Sequence, residues 1–159
     1  MEQTIEHRLA RLEAIEAVRA LKMKYARLCD ARYPAVELSD LFVEDGVWDG
    51  GEKWGRHVGR ASIRRFFEAA PSVALWAMHY TVSGDINVSD DLTTATALWY
   101  LWQPMTMPVD GQETAVFLIA DYVDEYVKDP ERGWLYTSLK LNVQALSPVD
   151  QGWVKRRSL

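Results

Sequence analysis

Leu12-Glu13-Ala14-Ile15-Glu16-Ala17-Val18-Arg19-Ala20-Leu21-Lys22-Met23-Lys24-Tyr25-Ala26-Arg27-Leu28-Cys29-Asp30 is the stretch on which the fold turns. Extended back to Leu9, its apolar residues Leu9, Leu12, Ile15, Val18, Leu21, Tyr25 and Leu28 recur at steps of three and four, the period of one helix face. No Gly or Pro interrupts them. Thr4 is suited to cap the start, and Pro34 lies just past the end, where it discourages continuation. The spacing predicts one long helix over 6–32.

Working outward, Val36, Leu38, Leu41 and Phe42 predict a short second helix over 35–42. Glu44-Asp45-Gly46 reads as a turn. Val47-Trp48 starts a short strand that Asp49-Gly50-Gly51 ends, and residues 56–58 are extended. Ile63, Phe66 and Phe67 mark a third helix over 60–69. Beyond Pro71 the pattern changes to four long strands, 74–88, 92–105, 113–128 and 134–147. Turn residues join them at Asp90-Asp91, 108–111 and 129–133. Links of hairpin length imply antiparallel pairing, and long strands imply twist and curvature. Helices first and strands after predict an α+β fold: a curved antiparallel sheet packed over the N-terminal helix, with an internal pocket. The chain reads as one domain over 1–159, with a core at about 6–147. The tail, 148–159, carries Lys155-Arg156-Arg157 and reads as frayed.

Composition narrows the function. Of 159 residues, 48% are apolar and 26% charged, an ordinary globular balance. The net charge of −5 and the lack of a basic stripe argue against a nucleic-acid partner. The single cysteine, Cys29, forbids an intrachain disulfide and fits a reducing cytoplasm. Met1-Glu2-Gln3-Thr4 lacks the apolar core of a signal peptide, and no apolar run approaches the ~18 residues of a membrane span. The three histidines, His7, His57 and His79, are far apart and lack cysteine partners, so no zinc site is expected. There is no phosphate loop, dinucleotide fingerprint or Gly-x-Ser-x-Gly elbow. The expectation is chemistry by side chains alone, with no cofactor and no metal.

Three residues invite a functional reading. In Leu75-Trp76-Ala77-Met78-His79-Tyr80-Thr81-Val82, period-two alternation puts His79 on one face with Leu75, Ala77 and Thr81, inside an apolar wall. It is either a core histidine satisfied by backbone or a working base. Asp30 ends the long helix, where the macrodipole disfavours an acid. It needs a partner, either Arg27 or Arg32 nearby or a histidine from the sheet. Tyr25 lies on the apolar stripe, about 140° around the helix from Asp30. His57, between glycines, reads as a surface residue.

These residues, with others, carry a resemblance. The segments are Ile15-Glu16-Ala17-Val18-Arg19-Ala20-Leu21-Lys22, Tyr25-x4-Asp30, Leu41-Phe42-Val43-Glu44-Asp45-Gly46-Val47-Trp48, Gly55-Arg56-His57-Val58-Gly59-Arg60, Met78-His79, Asp124-Glu125-Tyr126-Val127 and Gly133-Trp134. In this order the chain resembles the SnoaL-like branch of the NTF2-like superfamily, close to scytalone dehydratase-like and bile-acid-dehydratase-like proteins. The resemblance implies a cone, with a curved sheet wrapped over the long helix and a pocket inside. It implies that Asp30 pairs with His79 and that Tyr25 is a pocket tyrosine. Dehydrohalogenase-like members carry lysine at the Tyr25 position, and some members carry an arginine on the last strand. Thr137-Ser138-Leu139-Lys140-Leu141-Asn142 has none.

The implied activity is that of a cofactor-independent dehydratase, a lyase acting on a hydrophobic cyclic carbonyl compound. The alternatives are a ring ketone isomerase and a non-catalytic small-molecule binding module. His79, Asp30 and Tyr25 are the candidate catalytic residues. Trp48, Trp54, Trp76, Tyr100, Trp102, Gln103, Tyr126 and Asn142 are candidate pocket residues. Strands apolar on both faces (Trp76, Met78, Leu98, Trp102, Phe117, Leu118, Ile119) imply burial on both sides and a homo-oligomer, trimer or dimer.

Overall fold

A computed structural model describes residues 4–159; residues 1–3 of the polar N-terminus lie outside it. The first helix, α1, runs Ile5–Asp30, and the Thr4 hydroxyl accepts the His7 N–H at 3.2 Å as its cap. Ala14, Val18, Lys22, Tyr25, Ala26 and Cys29 are its buried residues. Leu9 and Leu12, counted in the apolar stripe, stay exposed.

The other elements follow as α2 (Ala35–Ser39), β1 (Phe42–Asp49), α3 (Gly51–Trp54), β2 (Arg56–Val58) and α4 (Arg60–Val73). The sheet strands are β3 (Trp76–Ala77), β4 (Tyr80–Val88), β5 (Thr94–Val109), β6 (Gln112–Asp129) and β7 (Gly133–Pro148), and α5 (Gly152–Lys155) comes last. The seven strands form one sheet in the order β2-β1-β7-β6-β5-β3, with β4 also on β5. All pairs are antiparallel except β1 with β7, which run parallel, so the curved sheet is mixed at that edge. The long helix lies against the sheet, touching β4 and β7.

Four boundaries depart from the sequence reading. Phe42 belongs to β1, paired with Tyr136, rather than to a second helix. Glu44-Asp45-Gly46 is a bulge inside β1: pairing jumps from Phe42↔Tyr136 to Val47↔Ser138, five residues against two. The α4 helix continues through Pro71 to Val73. Proline here removes one backbone bond in the last turn, where little helix remains to disrupt. The predicted strand 74–88 breaks between Ala77 and Tyr80, leaving His79 in the gap. A fifth difference concerns the tail. The Leu146 N–H donates to Arg157 O at 2.9 Å, and Lys53 Nζ donates to Leu159 O at 3.1 Å, so residues 157–159 are docked rather than frayed.

Burial along β5 alternates strictly. Ala95, Ala97, Trp99, Leu101, Gln103, Met105 and Met107 face inward, while Leu98, Tyr100 and Trp102 face outward. On β6 the inward row is Val116, Leu118, Ala120, Tyr122, Asp124 and Tyr126. Where β4 bends, between Val82 and Asp85, Gly84 meets the Trp99 indole so closely that a Cβ would lie 2.1 Å from the ring.

The core holds a buried ion pair. Lys22 Nζ donates to Asp124 Oδ2 at 2.9 Å, with both side chains fully buried. The Tyr126 hydroxyl donates to the same oxygen at 2.8 Å, and the ammonium sits 3.3 Å from the Tyr122 ring centroid. Burial lowers the Lys22 pKa and raises that of Asp124, and each partner's charge opposes the shift of the other.

Candidate active site

Between α1, α4 and the inner sheet face lies a cavity of about 300 Å³. Such a volume accommodates a compact ring compound. Of the residues singled out from the sequence, Tyr25, Trp48, Trp54, His79 and Gln103 line it. Tyr33, Phe66, Phe67, Met105, Leu118, Tyr122 and Leu141 line it too. Sequence reasoning missed this second group. Strand parity was the signal that could have found part of it, since Met105 shares the inward row of Gln103, and Leu118 and Tyr122 share one row of β6.

The same parity displaces three expected wall residues. Tyr100 and Trp102 are on the outer face of β5, opposite to Gln103, and are 64% and 38% exposed. A strand cannot send adjacent side chains into one pocket. Trp76 is exposed next to the inward Ala77. Tyr126 is buried but bonded to Asp124, and Asn142 donates to Asp121 at 2.8 Å; neither lines the cavity.

Asp30 closes α1 and meets His79 at the break between β3 and β4. Its Oδ1 accepts the His79 backbone N–H at 2.9 Å and lies 2.8 Å from Nδ1. Thus Asp30 takes a partner from the sheet rather than Arg27 or Arg32. A carboxylate only accepts, so Nδ1 carries the hydrogen in the neutral ring and Nε2 holds the free lone pair. Nε2 has no hydrogen-bond partner among the described residues, and the ring belongs to the cavity wall.

Tyr25 is almost fully buried, and its hydroxyl accepts the Trp48 indole N–H at 2.9 Å. Accepting that bond strengthens the hydroxyl as a donor, and the Cys29 thiol lies beside it. Burial pushes its pKa well up, so it stays a neutral O–H. His57, read from sequence as a surface residue, is half-buried. Its Nε2–H donates to Trp54 O at 2.8 Å and its ring stacks on Phe66 at 4.4 Å, bracing the lip that carries Trp54.

Directly after Asp30 the chain turns through two non-glycine residues of positive φ, Arg32 at 69° and Tyr33 at 58°. Each such residue costs about 1–2 kcal/mol. The turn swings the Tyr33 ring into stacking with Phe67 (6.3 Å, 13°) and edge-on to His79 (6.0 Å, 77°). Among the described residues no group of three or more His, Cys, Asp or Glu converges as a metal site, and no helix is long and apolar enough to cross a membrane.

Known proteins of this shape include enzymes. The chain superposes on a Novosphingobium aromaticivorans protein assigned as an aromatic ring hydroxylase, with 25% identity, 93% of this chain and 96% of that one covered, and a TM-score of 0.73. A protein from the same organism, assigned as a scytalone dehydratase, shows 20% identity, coverage of 87% and 89%, and a TM-score of 0.74. A hexachlorocyclohexane dehydrochlorinase, LinA type 2, shows 18% identity, coverage of 89% and 92%, and a TM-score of 0.78. Among curated proteins, none matches the sequence. The shared architecture is NTF2-like. The sequence model of the SnoaL-like domain matches residues 10–140, most of the chain, and the protein belongs to that family.

Proposed function

We propose that the protein is a cofactor-independent dehydratase acting on a hydrophobic cyclic carbonyl compound. The observation that carries this reading is the Asp30–His79 contact, which leaves Nε2 bare on the wall of an aromatic cavity. His79 Nε2 removes the proton α to the carbonyl, breaking C–H and forming N–H. Asp30 holds the ring in that tautomer and stabilises the imidazolium. The Tyr25 hydroxyl donates to the carbonyl oxygen as enolate charge develops. The enolate then collapses to an enone. The β C–O bond breaks, and the departing hydroxyl takes the proton from imidazolium and leaves as water.

The resemblance of the fold to dehydratase and dehydrochlorinase structures supports an eliminating enzyme. The absence of a lysine at position 25 separates this chain from the dehydrohalogenase pattern. An aromatic cavity suits steroid-, terpenoid- or polyketide-like rings.

A panel of cyclic β-hydroxy ketones, followed by the rise of enone absorbance, tests the reading. Turnover that survives EDTA and dialysis and is lost in His79→Gln supports it. A panel converted only by double-bond migration, without water loss, would replace the dehydratase with an isomerase.

A further inference from the structure

Two polar groups on the cavity wall have no part in the Asp30–His79 pair and no adequate partner in the protein. One is the Tyr33 hydroxyl, which makes no hydrogen bond among the described residues although its ring lines the cavity. The other is Gln103, only 3% exposed, whose carboxamide nitrogen reaches the Met105 thioether at 3.4 Å while Oε1 bonds nothing.

Neither group is explained by packing. Phenylalanine at 33 would make the same stack on Phe67, so the hydroxyl is not required by packing. In the inward row of β5, Gln103 is the one polar residue among Ala95, Ala97, Trp99, Leu101, Met105 and Met107. Unpaired polar groups that open onto an otherwise apolar cavity are free to pair with a ligand that enters it.

Both flank His79. Trp76↔Thr106, Ala77↔Met105 and Tyr80↔Trp102 share one register, which places Gln103 directly across from His79. The Met78 N–H donating to Pro104 O at 3.1 Å fits the same alignment. Tyr33 meets the His79 ring from the helix side. Burial, with the nearby Cys29 and Asp30, pushes the Tyr33 pKa up, so its hydroxyl remains a donor.

We propose that Tyr33 and Gln103 form a hydroxyl-binding subsite beside His79. The Tyr33 O–H donates to the oxygen of a ring alcohol, and Gln103 Oε1 accepts the alcohol hydrogen. A hydroxyl needs one donor and one acceptor, whereas a carbonyl or ether oxygen uses only the donor. The inference rests on the reading of His79 as the base, in which this subsite holds the hydroxyl that departs as water.

Binding of 2-naphthol, 2-methoxynaphthalene and naphthalene, followed by tryptophan fluorescence, tests it without turnover. The wild type should bind 2-naphthol about thirtyfold more tightly than naphthalene, the worth of two net hydrogen bonds, with 2-methoxynaphthalene, which makes one, between them. Tyr33→Phe should bring 2-methoxynaphthalene down to naphthalene and lower 2-naphthol part of the way, since the Gln103 bond remains. Gln103→Met should lower 2-naphthol alone, to the level of the methyl ether. Melting curves check folding, and Gln103→Leu substitutes if the methionine variant does not fold. Equal binding of all three probes by the wild type, no binding of any, or an unchanged hydroxyl preference in both variants would overturn the subsite. A chain that dehydrates none of the β-hydroxy ketones yet keeps the hydroxyl preference would remove the lyase reading and leave the subsite standing.

Discussion

Asp30 Oδ1 accepts two bonds from one residue, the backbone N–H of His79 at 2.9 Å and the imidazole Nδ1–H at 2.8 Å. The backbone bond fixes where the chain breaks between β3 and β4. The side-chain bond fixes which ring nitrogen is bare. One carboxylate at the end of α1 therefore sets both the position and the tautomer of the candidate base.

From this pairing follows the first prediction. His79→Gln or His79→Ala should lower turnover by about two to four powers of ten with the fold retained. Asp30→Asn should also be severe, because an amide can stabilise the wrong tautomer. The double variant should be little worse than either single one, since residues acting as one unit are not additive. Steady-state kinetics on a converted ketone decide it; near-normal turnover in His79→Gln defeats the mechanism.

Stability should depend on the buried ion pair. Lys22→Met leaves the Asp124 carboxylate buried without its counter-charge and should cost about 3–5 kcal/mol. Replacing both, as Lys22→Met with Asp124→Leu, should recover much of that loss. Urea unfolding of the three variants measures it, and a double variant as unstable as the single would show that the pair has a further role.

The outer face of the sheet should meet a second copy of the chain. Leu98, Tyr100 and Trp102 on β5 and Tyr80 and Val82 on β4 form an exposed apolar patch of the kind that marks an interface. We expect a dimer or trimer by light scattering, and Tyr100→Glu should shift it toward monomer. A wild-type monomer at micromolar concentration contradicts this.

Two hairpin turns predict the acid limb of stability. The Asp91 carboxylate accepts from the Ser89 hydroxyl and from the Thr93 hydroxyl and N–H, and Asp129 accepts from the N–H groups of Arg132 and Glu131. These bonds hold both pKa values below the usual range. Depressed carboxyl pKa values add stability that is present above the unfolded pKa and lost as pH falls through the folded one. Melting temperatures from about pH 5 down to pH 2 should therefore converge between the wild type and Asp91→Asn/Asp129→Asn. A gap that persists at the acid end would contradict this.

By itself the sequence determined the elements whose signal is local and periodic. The stripe through Val18 and Tyr25 marks α1, the long alternating runs mark β5 to β7, and the acid at a helix end announces Asp30 as a residue in need of a partner. Tertiary structure decided what depends on meeting across the chain. The parallel β1–β7 edge and the bulge at Glu44–Gly46 follow from pairing with a strand about ninety residues away, which no local propensity encodes. Which aromatics line the cavity was decided by strand parity against the core: adjacent Trp102 and Gln103 look alike to composition but leave opposite faces of the sheet. The turn that brings Tyr33 to His79 uses a left-handed backbone that non-glycine residues avoid on their own. There Phe67 and His79 pack around that ring, contacts that no local propensity encodes.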